Sequence, residues 1–235
     1  MNPVYQAIPI WVIRSAGIQV NPRYESLIPD VLKYLTQEKA VGKTAIYGHQ
    51  RQLGKRLASA GFGNPKHIGN EYEFDITMEI EPAPLPTGYQ ITTASHLDDF
   101  GSIYRAKGKV FSGPHMTEEA VALRMELKLG APSYSNDGVF LALRASDMSC
   151  VSFAAAWLNP VSGVVGFEPI GTVPEERKKG LCKALLTFAF QTCKAKGFKK
   201  VSIRTGANPE AAANYLYRSL SPANIFHIMA YSYPG

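Results

Sequence analysis

The sequence predicts a mixed α/β fold, with a complete domain in its second half and a partial unit in front of it. Three observations carry this expectation. After residue 88, strand-like and helical periodicities follow one another in the order β-α-α-β-β-β-α-β-α-β. Turn residues, Asn159-Pro160 and Ser162-Gly163 among them, close the central strands into antiparallel hairpins. A segment with prolines at alternate positions, Glu81-Pro82-Ala83-Pro84-Leu85-Pro86-Thr87-Gly88, fits neither a helix interior nor a central strand and reads as a stiff, extended connector. The expected division is therefore 1–80, a linker at 81–88, and 89–235.

In the front part, Leu27, Ile28, Val31, Leu32 and Leu35 recur at helical spacing and predict a helix over 24–40. A second helix is expected over 50–60, ended by Gly61. Residues 71–80 alternate, with Tyr72, Phe74, Ile76, Met78 and Ile80 on one side, as a half-buried strand does. Behind the linker, Tyr89–Thr93 is a short strand, and 96–107 and 117–127 are helices. Thr117 caps the second of these, with Glu118 and Glu119 favoured by the dipole of its first turn. Strands follow at Gly138–Leu143, Val151–Trp157 and Val164–Val173. Then come a helix at Gly180–Lys196, with Leu181, Leu185, Phe188 and Ala189 on its apolar face, a strand at Lys200–Arg204, a helix at Pro209–Leu220 and a strand near Ile225–Tyr231.

Of the 235 residues, 46% are hydrophobic and 19% charged, which excludes wholesale disorder. The net charge of +6 suits an anionic partner. The tightest basic clusters, Arg177-Lys178-Lys179 and Lys194/Lys196/Lys199/Lys200, fall in the last third, where they serve a phosphorylated cofactor or are solvated surface. A nucleic-acid partner would rest on charge alone and is not expected. Cys150, Cys182 and Cys193 lack metal-ligand spacing, and an odd count without a CxxC pair points to a reducing compartment. The five histidines show no paired spacing, so no metal site is expected. The apolar stretch Ala7 to Ile13 is too short to span a bilayer and lacks the layout of a signal peptide. The expectation is a cytoplasmic protein with no membrane contact.

The most informative segment is Gly166–Leu186, an apolar strand that runs through Pro-Glu-Glu-Arg-Lys-Lys-Gly into a helix. A strand-to-helix turn leaves the first helical amides without partners, and with the dipole they form an anion site. Gly180 lets a phosphate approach the main chain without a Cβ in the way. The segment matches neither the Walker pattern nor GxGxxG. It reads as a phosphate grip on the amides of about 178–183 or as an ordinary helix start.

Val173-Pro-Glu-Glu-Arg177-Lys-Lys-Gly180-Leu-Cys182-Lys-Ala-Leu185-Leu resembles the V-x-P-x-x-R-x-x-G-x-G/A-x-x-L signature of the GCN5-related (GNAT) acetyltransferases. Ala213-Asn214-Tyr215-Leu216-Tyr217-Arg218-Ser219-Leu220 resembles the A-N-x-L-Y-x-S-x-G-F segment of the same superfamily, with the strand Lys200–Arg204 between the two as the family order requires. Two departures stand out: Cys182 where the family has Gly or Ala, and Ser221-Pro222 where Gly-Phe closes the helix.

The resemblance implies an acyl-CoA N-acyltransferase fold, a mixed central sheet with splayed parallel strands flanked by helices. Acetyl-CoA is expected in the gap between Val164–Val173 and Lys200–Arg204, with no metal. The implied cofactor contacts are Gly171, Thr172 and Val173 on the strand; Arg177, Lys178, Lys179, Gly180, Leu181, Cys182 and Lys183 in the turn; and Asn208, Asn214 and Tyr217 downstream. A backbone N–H near Val173 would polarise the thioester carbonyl. Glu168 is the candidate base, which burial would have to make basic, or else a strand residue bonding a neighbour. Tyr217 is the candidate acid for the leaving thiolate, or else a core tyrosine. Asn214 would bond the pantetheine arm or help fix the helix; its rival Asn208 would touch the cofactor or cap that helix.

The front part resembles the back half of another GNAT domain: Lys55–Gly63 looks like the helix end and Gly-Phe of that fold, and Glu71–Ile80 like its last strand. No R-x-x-G-x-G/A turn precedes the helix at 24–40. The resemblance therefore implies a tandem arrangement with a truncated, degenerate first unit that covers a sheet edge, shapes the acceptor cleft or forms a homodimer contact. The implied activity is acetyl transfer to a small-molecule or peptide amine; the alternative is a non-catalytic acyl-CoA-binding sensor or scaffold.

Overall fold

The computed structural model describes residues 16–17, 30, 33, 43–47, 51–97, 100–111, 117, 119–120, 123, 131 and 133–232. The stretch at 7–13 and most of the helices expected over 24–40 and 117–127 lie outside the described residues. Within the second of these, the Ala120 amide donates to Thr117 Oγ1 at 3.3 Å, the cap expected of Thr117.

The strands are β1 (Ala16–Gly17), β2 (Lys43–Tyr47), β3 (Gly63–Asp75), β4 (Tyr89–Thr93), β5 (Val139–Arg144), β6 (Cys150–Asn159), β7 (Val164–Thr172), β8 (Lys200–Gly206) and β9 (Asn224–Ser232). The helices are α1 (Arg51–Ser59), α2 (Gly101–Phe111), α3 (Leu181–Ala195) and α4 (Ala212–Arg218). The chain divides into two compact units, a larger one of 72–204 and 209–225 and a smaller one of 1–71, 205–208 and 226–235.

In the larger unit the strand order is β3-β8-β7-β6-β5-β4. The run β4 to β7 is antiparallel, and β7 pairs β8 in parallel through the α3 crossover. Successive residues of β6 enter opposite cores. Ala154 and Ala156 pack with Leu185, Ala189 and Phe190 of α3 and Tyr217 of α4. Phe153 and Ala155 pack with Ile103, Tyr104 and Ala106 of α2. A strand covered on both faces reads as a continuous apolar run, which is why Cys150–Trp157 shows no alternation. Phe188, expected on the buried face of α3, is 40% exposed; Leu186 takes the buried place instead.

The proline segment 81–88 lies within the larger unit and is tied to α3. The Ala83 amide donates to Thr187 Oγ1 at 3.1 Å, Gln191 Nε2 donates to the Ile80 carbonyl at 2.8 Å, and Lys194 Nζ donates to the carbonyls of Thr77 and Met78. The strand expected over 71–80 starts earlier, at Gly63, and stops at Asp75. There Asp75 Oδ1 accepts from the amide and the hydroxyl of Thr77 at 2.9 and 2.6 Å, turning the chain and leaving Met78 outside.

In the smaller unit β2 pairs β1 in parallel and β9 antiparallel, and β9 lies beside β3. Gly61, at φ 88°, ends α1 as expected; the Phe62 amide reaches back to the Leu57 carbonyl at 3.0 Å. A Cβ on Gly69 would stand 2.6 Å from the Thr205 carbonyl oxygen, so glycine there lets β3 and the end of β8 close up.

Candidate cofactor site

The parallel pairing of β7 with β8 runs from Val164↔Lys200 to Phe167↔Ile203 and ends there, although β7 continues to Thr172. The cause is local. Between Phe167↔Ala156 and Ile170↔Ala154 the register shifts, so Glu168 and Pro169 oppose the single residue Ala155 in a β-bulge. Pro169 has no N–H to give a ladder, and a bulge is where a strand tolerates it. The Trp157 indole pins the bulge by donating to the Glu168 carbonyl at 2.6 Å.

Beyond the bulge, the Val173 amide donates to the Val151 carbonyl at 2.9 Å. Antiparallel ladders alternate, so Gly171 and Val173 face β6 while the backbone groups of Ile170 and Thr172 face the side where β8 has departed. The donor expected near Val173 is thus not the Val173 amide, which is spent on the sheet. Gly171 also has a packing reason: a Cβ there would meet Val110 Cγ1 at 2.7 Å and Phe153 Cζ at 2.8 Å.

The turn that follows is held by Glu176, a residue the sequence reading passed over. Its side chain is 6% exposed, and its carboxylate accepts from Tyr89 Oη at 2.5 Å, Arg144 Nη2 at 2.5 Å and Lys179 Nζ at 2.6 Å. These donors, Lys179 foremost, hold its pKa down at about 2. Lys179, expected as a phosphate ligand, is therefore committed to the clamp. Glu175 pairs with Lys109 of α2 at 2.6 Å. Arg177 Nε donates to the Thr172 carbonyl at 3.1 Å, folding the guanidinium back over the end of β7.

Lys178 and Gly180 both have positive φ, 62° and 83°. Such turns aim successive amides into one concavity. Gly180 is the N-cap of α3, without a side-chain cap and with no acidic residue in the first turn. The first intrahelical bond joins the Ala184 amide to the Gly180 carbonyl at 3.0 Å, so the amides of Leu181, Cys182 and Lys183 have no acceptor within the helix. A Cβ on Gly180 would meet nothing within 4 Å, so space for a ligand lies directly over it.

Cys182 turns to the Ser152 and Thr172 hydroxyls, themselves 2.8 Å apart; burial pushes its thiol up to about 11, and the two hydroxyls pull the other way. Tyr217 is buried against Tyr72, with ring centroids 5.5 Å apart. Burial, with Cys182 and Tyr72 nearby, pushes its pKa up, so the phenol keeps its proton. Asn214 is fully buried and accepts from Tyr72 Oη at 2.6 Å, which fixes α4 to β3.

The chain matches the family profile described as "Acetyltransferase (GNAT) family" over residues 102–221, half of its length. It belongs to that family. Among solved GNAT structures, a GCN5-related N-acetyltransferase from Sphaerobacter thermophilus is 15% identical, with a TM-score of 0.63 over 94% of this chain and 74% of that one. A GNAT-family acetyltransferase from Colwellia psychrerythraea is 12% identical, with a TM-score of 0.64 over 92% and 75%. A tandem GNAT protein from the clavulanic acid biosynthesis pathway is 10% identical, with a TM-score of 0.60 over 94% and 76%. At these identities the likeness is one of fold. No curated protein matches the chain.

The remaining GNAT-derived expectations divide. Glu168 sits on the bulge with an exposed side chain, not in the buried setting that the base role called for. Asn208 does not start the helix: α4 begins at Ala212 with Ala211 as N-cap, and Asn208 belongs to the smaller unit. Ser221, where the family has glycine, adopts φ 55° and so takes the left-handed place that closes α4; this costs about 1 kcal/mol for a residue with a Cβ. Among the described residues no helix is long and apolar enough to cross a membrane.

Proposed function

We propose that this GNAT protein is an acetyl-CoA-dependent N-acetyltransferase that moves an acetyl group directly to the amine of a small molecule or peptide. One observation carries the reading: the uncapped amides at the start of α3 stand beside a β7 edge without a strand partner. That edge and that helix start fit the two ends of a pantetheine-pyrophosphate chain.

Acetyl-CoA, when bound, supplies the acetyl group as an activated thioester. The amides of 178–183 would hold its two phosphates, with Arg177, Lys178 and Lys183 adding charge. The outward backbone groups of Ile170 and the Thr172 amide would pair with the pantetheine amides, the Thr172 carbonyl being held by Arg177, and one of those donors would face the oxygen on which charge develops. The Tyr217 hydroxyl, kept protonated, would donate to the departing sulfur. Glu168, exposed on the bulge, would receive the proton of the incoming ammonium through water or position that amine.

Residues 1–80 are read as a truncated, degenerate GNAT-like unit in tandem with the domain at 89–235. In support, α1, left-handed Gly61 and β3 repeat the local order of α4, left-handed Ser221 and β9. The test of the activity is release of free thiol from acetyl-CoA in the presence of an amine panel. Turnover with at least one amine is expected. Tight acetyl-CoA binding without turnover would instead establish a sensor, and no binding would remove the reading.

A further inference from the structure

In the smaller unit three side-chain atoms close a triangle. His67 Nε2 lies 3.1 Å from His227 Nδ1 and 3.0 Å from Asn70 Oδ1, and His227 Nδ1 lies 3.0 Å from Asn70 Oδ1. The Gly69 carbonyl oxygen is a further 2.9 Å from His67 Nε2. The two imidazoles meet edge to face, 4.5 Å apart at 79°. They come from β3 and β9, 160 residues apart, so the absence of paired histidine spacing in the sequence did not exclude their pairing in space.

Hydrogen bonding alone does not account for the triangle. His67 Nε2 carries at most one hydrogen yet has three partners within 2.9 to 3.1 Å. Asn70 Oδ1 and Gly69 O only accept. If His67 donates to them, His227 Nδ1 either sets a lone pair against the lone pairs of Asn70 Oδ1 or sets its own N–H against that of His67. Every tautomer leaves like groups facing each other along one side. A cation removes the conflict, because all of these atoms can present lone pairs to it.

We propose that His67, His227 and Asn70 form a binding site for a borderline divalent transition-metal ion of the zinc, nickel and copper class. An ion about 2.1 Å from each atom would stand about 1 Å out of their plane, with ligand–metal–ligand angles near 90°, a facial set with open outer positions. Two imidazoles and one amide oxygen select these ions over magnesium or calcium, which prefer all-oxygen, carboxylate-rich sets. The site is built from a buried Asn70, a half-buried His67 and an exposed His227, so one side opens to solvent. Among the described residues no group of three or more His, Cys, Asp or Glu is placed to hold a metal; the third ligand here is an amide.

The test uses the untagged, full-length chain freed of metal by a chelator and titrated with Ni²⁺ and Zn²⁺, reading calorimetric binding and the Ni²⁺ visible spectrum. One ion per chain is expected, with a Tm that rises on binding. His67→Ala and His227→Ala should each weaken binding by more than roughly tenfold. His96→Ala should leave it unchanged. Asn70→Asp, which adds a charge at the third corner, should tighten it, so the site is probed by a gain as well as by losses. Circular dichroism on each variant separates lost ligation from lost folding. Absence of Ni²⁺ and Zn²⁺ binding in the wild-type chain, or binding unaltered in both folded alanine variants, would overturn the assignment.

Discussion

Replacing Glu176 with glutamine keeps the shape of the side chain and removes its charge. In the folded protein the carboxylate takes hydrogen bonds from Lys179, Tyr89 and Arg144, and its pKa falls from an ordinary 4.5 to about 2. At about 1.4 kcal/mol per unit, the ceiling on this contribution is roughly 3 kcal/mol. Lys179 is 46% and Arg144 33% exposed, so water takes over part of what they lose, and about 2 kcal/mol is the expected loss at neutral pH. For a chain of this size that lowers Tm by about 4–8 °C. Because folding depresses the pKa, the unfolded chain binds the proton first as pH falls. The stabilisation is complete above about pH 4.5 and is lost as pH drops through the folded value near 2. Urea unfolding of wild type and Glu176→Gln at pH 7, 5 and 3 should therefore show a gap that is constant from 7 to 5 and narrower at 3. A gap of equal size at all three, or none at pH 7, would mean the clamp is not what holds this turn.

Gly180→Glu should lower acetyl-CoA affinity by more than roughly a hundredfold, since it adds a negative charge over the helix amides and strains a left-handed position; unchanged affinity by calorimetry would displace the phosphate site. Tyr217→Phe should reduce kcat with little change in KM for acetyl-CoA, and an unaltered kcat would leave Tyr217 as core. Glu168→Gln should depress kcat/KM for the amine, and an unchanged value removes Glu168 as base. Gly171→Ala should destabilise the fold by about 1–3 kcal/mol through contact with Val110 and Phe153, read as a lower urea midpoint, and a neutral outcome would mean α2 yields freely.

Much of the larger unit was legible because its signals are local. The cofactor-turn motif, the apolar run of β6 and the turn at 159–163 each act within a few residues, and α3, β6 and β7 follow them closely. What stayed hidden is joined across long separations. Glu176 looked like one of two interchangeable acids ahead of a basic run. Only the approach of Tyr89 and Arg144, 87 and 32 residues away, distinguishes it from Glu175. The triangle of His67, Asn70 and His227 had no signal at all in spacing. The alternation of 71–80 misled because Asp75 and Thr77 satisfy each other locally and stop the strand in the middle of a regular pattern. The prolines at 82, 84 and 86 did mark an extended segment, but such a segment can bond laterally through the residues between them, as Ala83 does with Thr187.

The clamp on Glu176 bears on why this turn can work as an anion site. Left unpaired, the amides from 178 to 183 would draw the chain toward conformations that satisfy them internally, so a turn that presents them outward needs an independent anchor. Tyr89 on β4, Arg144 on β5 and Lys109 on α2 supply it by fastening Glu176 and Glu175 to three other elements. Both acids precede the amides, Glu176 buried and Glu175 paired with Lys109 at the surface, so they secure the turn from the residues ahead of the amides. Of the three consecutive cations, Lys179 completes the clamp, Arg177 caps the end of β7 through Nε, and Lys178, at a left-handed φ, takes part in neither task. Basic residues in a phosphate-binding turn thus divide between holding the turn and facing the ligand. An alanine scan read against both stability and acetyl-CoA affinity should separate Lys179, which moves stability first, from Lys178, which moves affinity alone.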